Sequence, residues 1–119
     1  MEDHEVQMLA GEFEACRKLL IALGDENRQQ LIIKMMQMGD CSGVRVGEIT
    51  DRTHLSRPAV SHHLQILKDA GIIKMRREAT KNYYYFDAET EAMDKLLSML
   101  EHARDIMQLL PDRSRADDQ

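Results

Sequence analysis

The chain has 119 residues, of which 43% are hydrophobic and 31% charged, with a formal net charge of −5. This length suits one globular domain with a modest core, and the longest apolar runs fall far short of the ~20 residues that span a bilayer. No secretion signal follows Met1, so we expect a cytoplasmic location without a membrane partner. Two cysteines without a CxxC pair indicate neither a disulfide framework nor a four-ligand zinc site.

The charge is unevenly distributed along the chain. Residues 1–51 carry five Lys and Arg against ten Asp and Glu, residues 52–81 carry seven against two, and residues 82–119 carry four against nine. The middle segment is therefore a basic island of +5 between two flanks of −5 each. Such an island indicates local attraction to phosphates. The negative total predicts weak non-specific binding to nucleic acid, because that binding is almost wholly electrostatic.

Apolar periodicity predicts three helices before residue 54. The first helix carries one stripe spaced by three and four residues, namely Val6, Leu9, Phe13, Cys16, Leu20 and Leu23. Asp25 is a typical N-cap for a second helix, which we expect to stop at Gly39-Asp40. A short third helix is predicted over residues 46–53, with Ile49 facing the core.

The fourth helix has the clearest boundaries. Ser56 is a good N-cap, and Pro58 lies in the first turn, where its missing N–H costs nothing. Gly71 follows the last apolar position and ends the helix. The buried face is predicted at Val60, Leu64 and Leu67.

After residue 71 the hydrophobic period changes to two. Residues 72–77 and 82–86 predict a β-hairpin joined by residues 78–81. Asp87 is the expected cap of a last helix that ends before Pro111, and its apolar positions are Met93, Leu96, Leu97, Leu100, Ala103, Met107 and Leu110.

This order of elements predicts a mainly α chain with a small β-hairpin: four helices, a hairpin and a fifth helix, as in a winged helix-turn-helix. We expect residues 1–110 to form a single domain. Residues 111–119 are predicted to be a polar, flexible tail.

The fourth helix is the segment that we expect to read a DNA major groove. Ser56 and the first backbone N–H groups can meet a phosphate at the helix N-terminus. The residues pointing away from the core mix donors and acceptors suited to base edges and phosphates: Arg57, Ser61, His62 or His63, Gln65 and Lys68. The alternative is a solvated helix face, for which the cap, the basic hairpin and the local charge must coincide by accident.

The hairpin adds a second expected contact with DNA. Strand alternation sends Arg76 and Arg77 to opposite faces, so only one of them is expected to reach DNA directly. We predict that Arg77 and Lys81 approach the neighbouring minor groove or its phosphates. The alternative is a hairpin edge made soluble by charge. Residues 83–85, three tyrosines, are expected to pack within the hairpin.

Four stretches of the sequence carry a family resemblance. They are residues 23–28 (LGDENR), 55–64 (LSRPAVSHHL), 67–71 (LKDAG) and 83–85 (YYY). Together they resemble the ArsR/SmtB family over about residues 19–110. The resemblance implies a small bacterial repressor that dimerises through its first and last helices, binds an inverted repeat in a promoter and releases it when an inducer binds.

The predicted dimer interface combines the resemblance with the apolar stripes of the two terminal helices. A short domain that buries two exposed stripes against a second copy is also what symmetry favours. The expected interface residues are Leu9, Phe13, Cys16, Leu20, Leu96, Leu100 and Met107.

The metal sites implied by the resemblance are absent at their aligned positions. The family's thiolate pair falls on Arg45 and Gly47, and its carboxylate–histidine set falls on Ala88, Thr90, Glu101 and Arg104. A shift of one residue gives Glu89, Glu91, His102 and Asp105, an oxygen-rich set that could take zinc or manganese across a dimer. A solvated helix face is the preferred interpretation, so we expect neither a metal site nor a bound cofactor.

The two cysteines leave a redox alternative open. Cys16 lies on the apolar stripe, where a free cysteine packs as a small hydrophobe. Cys41 lies in a polar loop with Arg45 nearby to favour its thiolate, which permits a role with an oxidant or a thiophilic metal. A joint role would require both thiols within disulfide reach.

The sequence therefore predicts a dimeric, sequence-specific repressor whose partners are double-stranded operator DNA, a second copy of the chain and an effector that is a small molecule, a metal or a redox change. No nucleophile lies near a base and an orienting acid, so we do not expect an enzyme. Two alternatives stay open: a winged-helix module that binds proteins, and a constitutive repressor without a ligand.

Overall fold

The computed structural model describes residues 3–39, 42–112 and 114. Its elements in chain order are α1 (Asp3–Ala15), α2 (Arg17–Leu23), α3 (Glu26–Met38), α4 (Val46–Thr50), α5 (Arg57–Asp69), β1 (Ile73–Glu78), β2 (Lys81–Phe86) and α6 (Glu91–Leu109). The mainly helical fold with one antiparallel hairpin is confirmed. Among the described residues, no helix is both long and apolar enough to cross a membrane.

The single first helix predicted from the apolar stripe is wrong, because the chain breaks at Cys16 into α1 and α2. The Cys16 N–H still bonds to the carbonyls of Glu12 and Phe13, at 3.0 and 3.2 Å. The two helices pack on different partners: α1 contacts α6, whereas α2 contacts α3 and α5. The periodicity of the stripe does not reveal this change of packing partner.

The predicted caps of the second and fourth helices, α3 and α5 in the structure, are confirmed. The Asp25 carboxylate accepts the Arg28 N–H at 3.0 Å, and this bond holds the pKa of Asp25 below its ordinary value. The Ser56 hydroxyl accepts the Ala59 N–H at 3.3 Å. At the other end of α3, Gly39 has a φ of 60°, the left-handed conformation that favours glycine at this position.

The short helix α4 ends at Thr50, three residues earlier than predicted. The Thr53 hydroxyl donates to the Thr50 carbonyl and accepts the Leu55 N–H, each at 3.2 Å. These bonds give the segment a turn instead of a further helical turn. The predicted inward position of Ile49 is confirmed, since it is completely buried.

The hairpin turn is tighter than predicted. Glu78 and Lys81 are paired strand residues, so the loop is only Ala79 and Thr80, and Ala79 takes a positive φ of 56°. A two-residue loop of this kind matches the twist of the flanking strands. Val44 pairs with Tyr84 on the outer edge of β2, with both N–H to O distances at 2.8 Å.

The predicted cap of the last helix, α6 in the structure, is wrong. The helix begins at Glu91 after Thr90, whereas the Asp87 carboxylate accepts the Glu89 N–H at 3.0 Å and pairs with Lys74 at 3.5 Å. Asp87 therefore forms an Asx-type turn that competes with helix capping.

The apolar residues of α6 exceed what one face can bury. Four residues at spacings of three and four are buried in the chain: Leu96, Met99, Ala103 and Ile106. Five apolar residues predicted on this helix remain exposed, namely Met93, Leu97, Leu100, Met107 and Leu110.

A partly buried group of polar side chains joins α1 to α6. The Nε2 atom of His102 lies 2.7 Å from the Glu5 carboxylate, and Nδ1 contacts the carboxylate of Glu12. Ionised carboxylates only accept hydrogen bonds, so both ring nitrogens donate when His102 is an imidazolium. The hydrogen bonds with Glu5 and Glu12 raise the pKa of His102 above its ordinary value.

We predict that His102→Gln removes a pH-dependent part of the stability. Because the folded-state pKa of His102 is raised, its contribution is fully present below the unfolded value of about 6.5 and is lost as pH rises through the folded value. The difference in melting temperature between wild type and His102→Gln should therefore shrink between pH 6 and 9. His4→Gln, at an exposed histidine of α1, is the matched control. A difference that does not change with pH would contradict the ion-paired state of His102.

Candidate nucleic-acid interface

The inner face of α5 determines which residues its outer face presents. Val60, Leu64 and Leu67 are completely buried. Six of the predicted contact residues then point away from the core; Lys68 is half-buried and the others are exposed, namely Ser56, Arg57, Ser61, His62 and Gln65. The structure thus brings these residues together on one face of one helix.

The N-terminus of α5 has few free backbone donors. Pro58 has no N–H, and the Ala59 N–H is used by the Ser56 side chain. Among the first three residues of the helix, Arg57 alone keeps a backbone N–H without a partner in the described chain. A phosphate at this end would therefore meet the Arg57 N–H and the Ser56 hydroxyl proton.

Arg57 and Gln65 lie near opposite ends of the exposed face. The Nη1 atom of Arg57 lies 3.8 Å from the position that a side chain at Gly47 would occupy, so its guanidinium extends over α4. The Gln65 amide donates to the Asp69 carboxylate at 2.9 Å. This bond leaves the Gln65 carbonyl oxygen as an acceptor on the helix surface.

The adjacent histidines have different surroundings. His62 is exposed, whereas His63 is half-buried and its Nδ1 atom lies 3.2 Å from Nη1 of Arg28. One residue corresponds to a rotation of about 100° around the helix, which turns His63 toward α3. We therefore withdraw His63 from the set of residues expected to contact bases and keep His62.

The hairpin of β1 and β2, which we call the wing, carries two arginines that differ in their contacts. Arg76 lies over the rings of Tyr83 and Tyr85, at 4.9 and 5.8 Å from their centroids, and pairs with Glu78 at 3.0 Å. Arg77 is exposed on the other face, with its Nε donating to the Ala79 carbonyl at 3.2 Å.

Lys81 is exposed at the end of the hairpin, opposite Glu78. Tyr84 is buried and Tyr83 and Tyr85 are half-buried, so the three tyrosines pack within the wing.

An exposed arginine and an exposed histidine, neither of which was predicted to contact DNA, lie in the turn before α5. Arg52 and His54 flank Thr53 between α4 and the Ser56 cap. The available signal was the charge count, because the basic island begins at Arg52. Both residues directly precede the capped start of α5 in the chain.

The predicted dimer residues fall into three groups. Cys16 and Leu96 are buried in the core of the chain itself, so they are corrected to core residues, while Leu9 and Leu20 are half-buried. The remaining three are exposed, namely Phe13 at 45%, Leu100 at 49% and Met107 at 69%.

The candidate effector residues are not assembled within one chain. In the part of the chain that the structure describes, no three His, Cys, Asp or Glu residues are grouped to hold a metal ion. Glu89, Glu91 and Asp105 are exposed, and His102 faces Glu5 and Glu12 instead. Cys16 is a buried free thiol, and Cys41 lies outside the described residues.

Comparison with known proteins gives a consistent result. The sequence model described as "Bacterial regulatory protein, arsR family" matches residues 25–75. A helix-turn-helix transcriptional regulator of Methanocaldococcus jannaschii, MJ1325, is 35% identical over 74% of this chain and 97% of its own. The transcriptional activator HlyU of Vibrio cholerae is 34% identical over 69% and 73%. The transcriptional repressor SdpR of Bacillus subtilis is 35% identical over 53% and 66%.

Solved structures agree with the fold. Reduced HlyU from Vibrio cholerae superposes with a TM-score of 0.56 at 33% identity, covering 79% of this chain and 96% of that one. The homodimeric winged helix-turn-helix DNA-binding domain of Mb0332 from Mycobacterium bovis gives 0.58 at 22% identity, covering 94% and 96%. The chain therefore belongs to the arsR family of winged helix-turn-helix regulators, which are DNA-binding transcriptional regulators and not enzymes.

Proposed function

We propose that this chain is a homodimeric repressor that binds an inverted-repeat operator in double-stranded DNA and releases it when an effector binds. In this proposal residues 1–110 are one winged helix-turn-helix domain, α5 reads the major groove, and the wing contacts the adjacent minor groove or its phosphates. The observation that carries the proposal is the outer face of α5, a capped helix whose polar residues are exposed directly after a turn that carries the exposed Arg52 and His54.

The distribution of charge supports sequence-specific binding to DNA over non-specific binding. The basic island of residues 52–81 includes the turn, α5 and the wing, whereas both flanks are acidic. Attraction to phosphates is then confined to one surface, and the acidic remainder opposes non-specific contact. Base contacts from α5 must therefore supply much of the discrimination between sequences.

The shape of the chain supports association of two copies. Its radius of gyration is 18.8 Å and its longest extent is 63 Å, against about 13.5 Å for the radius of a compact chain of this length. The apolar side chains of Phe13, Leu100 and Met107 stay exposed on the terminal helices. Burying such side chains contributes about 1.5–3 kcal/mol each. A twofold dimer through α1 and α6 would bury them and match the symmetry of an inverted repeat.

The experiment that tests the proposal is an anisotropy titration of the protein against the DNA upstream of its own gene and a scrambled duplex of equal length. Preferential, salt-sensitive binding to the upstream DNA is expected. Zn(II), oxidant, reductant and EDTA are then added to the complex, since release by one of them identifies the effector class. Tight binding that none of them changes would exclude these metal and redox effectors and favour a small-molecule effector or a constitutive repressor. No preference for any sequence, including one selected from a random library, would favour a protein-binding module.

We predict that Arg57→Ala and Gln65→Ala weaken operator binding more than binding to scrambled DNA. A lost base contact costs about 1–3 kcal/mol, or roughly 5-fold to 150-fold in dissociation constant. Arg104→Ala, an exposed arginine of α6, is the control for a general loss of positive charge. Equal losses on the two duplexes would remove both residues from the base-reading set.

Lys81→Ala tests the wing. If Lys81 meets a phosphate, its removal should weaken binding to all duplexes alike and reduce the slope of log affinity against log salt by about one unit. Lys95→Ala, at a lysine paired with Glu91 on α6, should leave the slope unchanged. A slope that stays the same for Lys81→Ala would exclude this phosphate contact.

Leu100→Asp and Met107→Asp test the proposed dimer. Both side chains are exposed in the single chain, so the substitutions should spare the fold. Placing a carboxylate in an apolar interface should raise the dimer dissociation constant at least about tenfold. Sedimentation velocity measures this change, and Ile33→Asp, at an apolar residue of α3 that is 52% exposed, is the matched control. Dimers of normal stability in both α6 variants would place the interface elsewhere.

A further inference from the structure

Arg28, near the start of α3, is the one charged residue that is buried in the described part of the chain, with 8% of its surface exposed. A guanidinium at such a position destabilises the fold unless its N–H groups find acceptors. The partners of Arg28 therefore show what its charge is used for.

Two of its bonds close the end of α2. The Nε atom donates to the Ala22 carbonyl at 2.9 Å, and Nη2 donates to the Ile21 carbonyl at 3.0 Å. These carbonyls belong to the last turn of α2, where a positive charge is also favoured by the helix dipole. Asp25, the cap of α3, lies 4.0 Å from Nη1. Arg28 thus fixes the corner between α2 and α3.

The remaining contact crosses to the DNA-reading helix. Nη1 of Arg28 lies 3.2 Å from Nδ1 of His63 on α5. A guanidinium only donates, so Nδ1 must accept, and His63 is neutral with its proton on Nε2. Burial lowers the pKa of His63, as do the charges of Arg28 and His62, whereas Asp25 opposes them. These are the charged groups that face His63 from α3, from its cap and from α5 itself.

The hydrogen bond between Arg28 and His63 depends on angle, whereas the remaining packing of α5 on its neighbours does not. The other inward residues of α5 are apolar, and apolar packing fixes burial but has no preferred angle. A hydrogen bond loses strength as its angle departs from linear. Because His62 and Ser61 directly precede His63, a small rotation of α5 at His63 would redirect the exposed face.

We propose that Arg28 is a positioning residue for DNA binding, which holds α5 in register through Nδ1 of His63, and that a proton on Nδ1 breaks this link. The inference rests on the proposed function, in that α5 is the helix that reads DNA. It assigns His63 no contact with bases.

Three substitutions of His63 separate this role from a direct DNA contact. Asparagine places its amide oxygen near the position of Nδ1, whereas glutamine places an amide near Nε2, the edge that would face a base. Leucine offers neither. The probe is a duplex selected from a random-sequence library by the wild-type protein. At pH 8 we expect His63→Leu and His63→Gln to bind about tenfold more weakly and His63→Asn to bind within about twofold of wild type.

Rescue by glutamine but not asparagine would overturn the proposal in favour of a direct contact. The coupling energy between the two residues is obtained from Arg28→Lys, His63→Leu and the double variant. Lysine keeps the positive charge but lacks the several N–H groups with which the planar guanidinium of Arg28 bonds at once. If Arg28 acts through His63, the double variant should lose no more affinity than the weaker-binding single variant. Additive losses would contradict this. Thermal melts of every variant identify losses caused by unfolding.

The pH profile supplies a readout that a purely structural role would not move. Because the pKa of His63 is lowered, the pH is taken from 8 to well below the ordinary histidine value of about 6.5, in steps down to the lowest pH at which the protein stays folded. Over this range the affinity of wild type should fall relative to that of His63→Asn, because only wild type loses its link by protonation. In the free protein, ¹⁵N spectra of the imidazole should show the Nε2–H tautomer with Nδ1 unprotonated, and the opposite tautomer would overturn the proposal without DNA.

Failure of the two proposals is distinguishable. If the wild type enriches no duplex, the proposed function falls and this inference falls with it. Enrichment followed by equal binding of all His63 variants would overturn this inference alone.

Discussion

Val60, Leu64 and Leu67 are completely buried, and through this face α5 contacts α2, α3, α4 and β1. Four elements are therefore assembled around one helix, and the hydrophobic contribution of that face holds them together. Because the inner face of α5 is fixed in the core, the same side chains are always exposed on its outer face. In the proposed function, recognition of DNA by α5 would follow from how its inner face packs, and the proposed link from Arg28 to His63 would add the angular precision that apolar packing does not provide.

The terminal helices α1 and α6 pack mainly on each other and not around α5. The helices α2, α3 and α4 and the strand β1 contact α5, whereas α1 packs mainly on α6. The longest extent of the molecule is 63 Å. The contact between α1 and α6 includes one polar clamp, His102 between Glu5 and Glu12, beside apolar side chains that remain exposed. The separation at Cys16 accompanies this division, because α1 packs mainly on α6 while α2 packs on α3 and α5. Reading DNA and pairing with a second copy would then be tasks of separate parts of one small chain.

Much of the fold could be predicted from the sequence, because its signals are local. The caps at Asp25 and Ser56 act within one helical turn, and the burial of the α5 face follows from spacing alone. The predictions of helix boundaries were wrong where contacts between residues far apart in the sequence determine the boundary. The break at Cys16 depends on two different packing partners, and the Asp87 carboxylate serves a turn and Lys74 instead of α6. For the candidate site, the exposed residues of α5 could be predicted, but the assignment of His63 could not, since its partner Arg28 lies 35 positions earlier in the chain.

The short pairing of Val44 with Tyr84 gives β2 a neighbour on its outer edge. Gly43 permits this approach, since its φ is +99° and a side chain there would come within 3.1 Å of Tyr83 Cβ. An uncovered strand edge is a template on which another chain can add a strand. Here the loop before α4 occupies the middle of that edge, so a second copy cannot extend the wing into a continuous sheet on this side. On this edge, a hairpin that we propose to contact DNA is thereby protected from edge-to-edge aggregation by a single residue of the preceding loop.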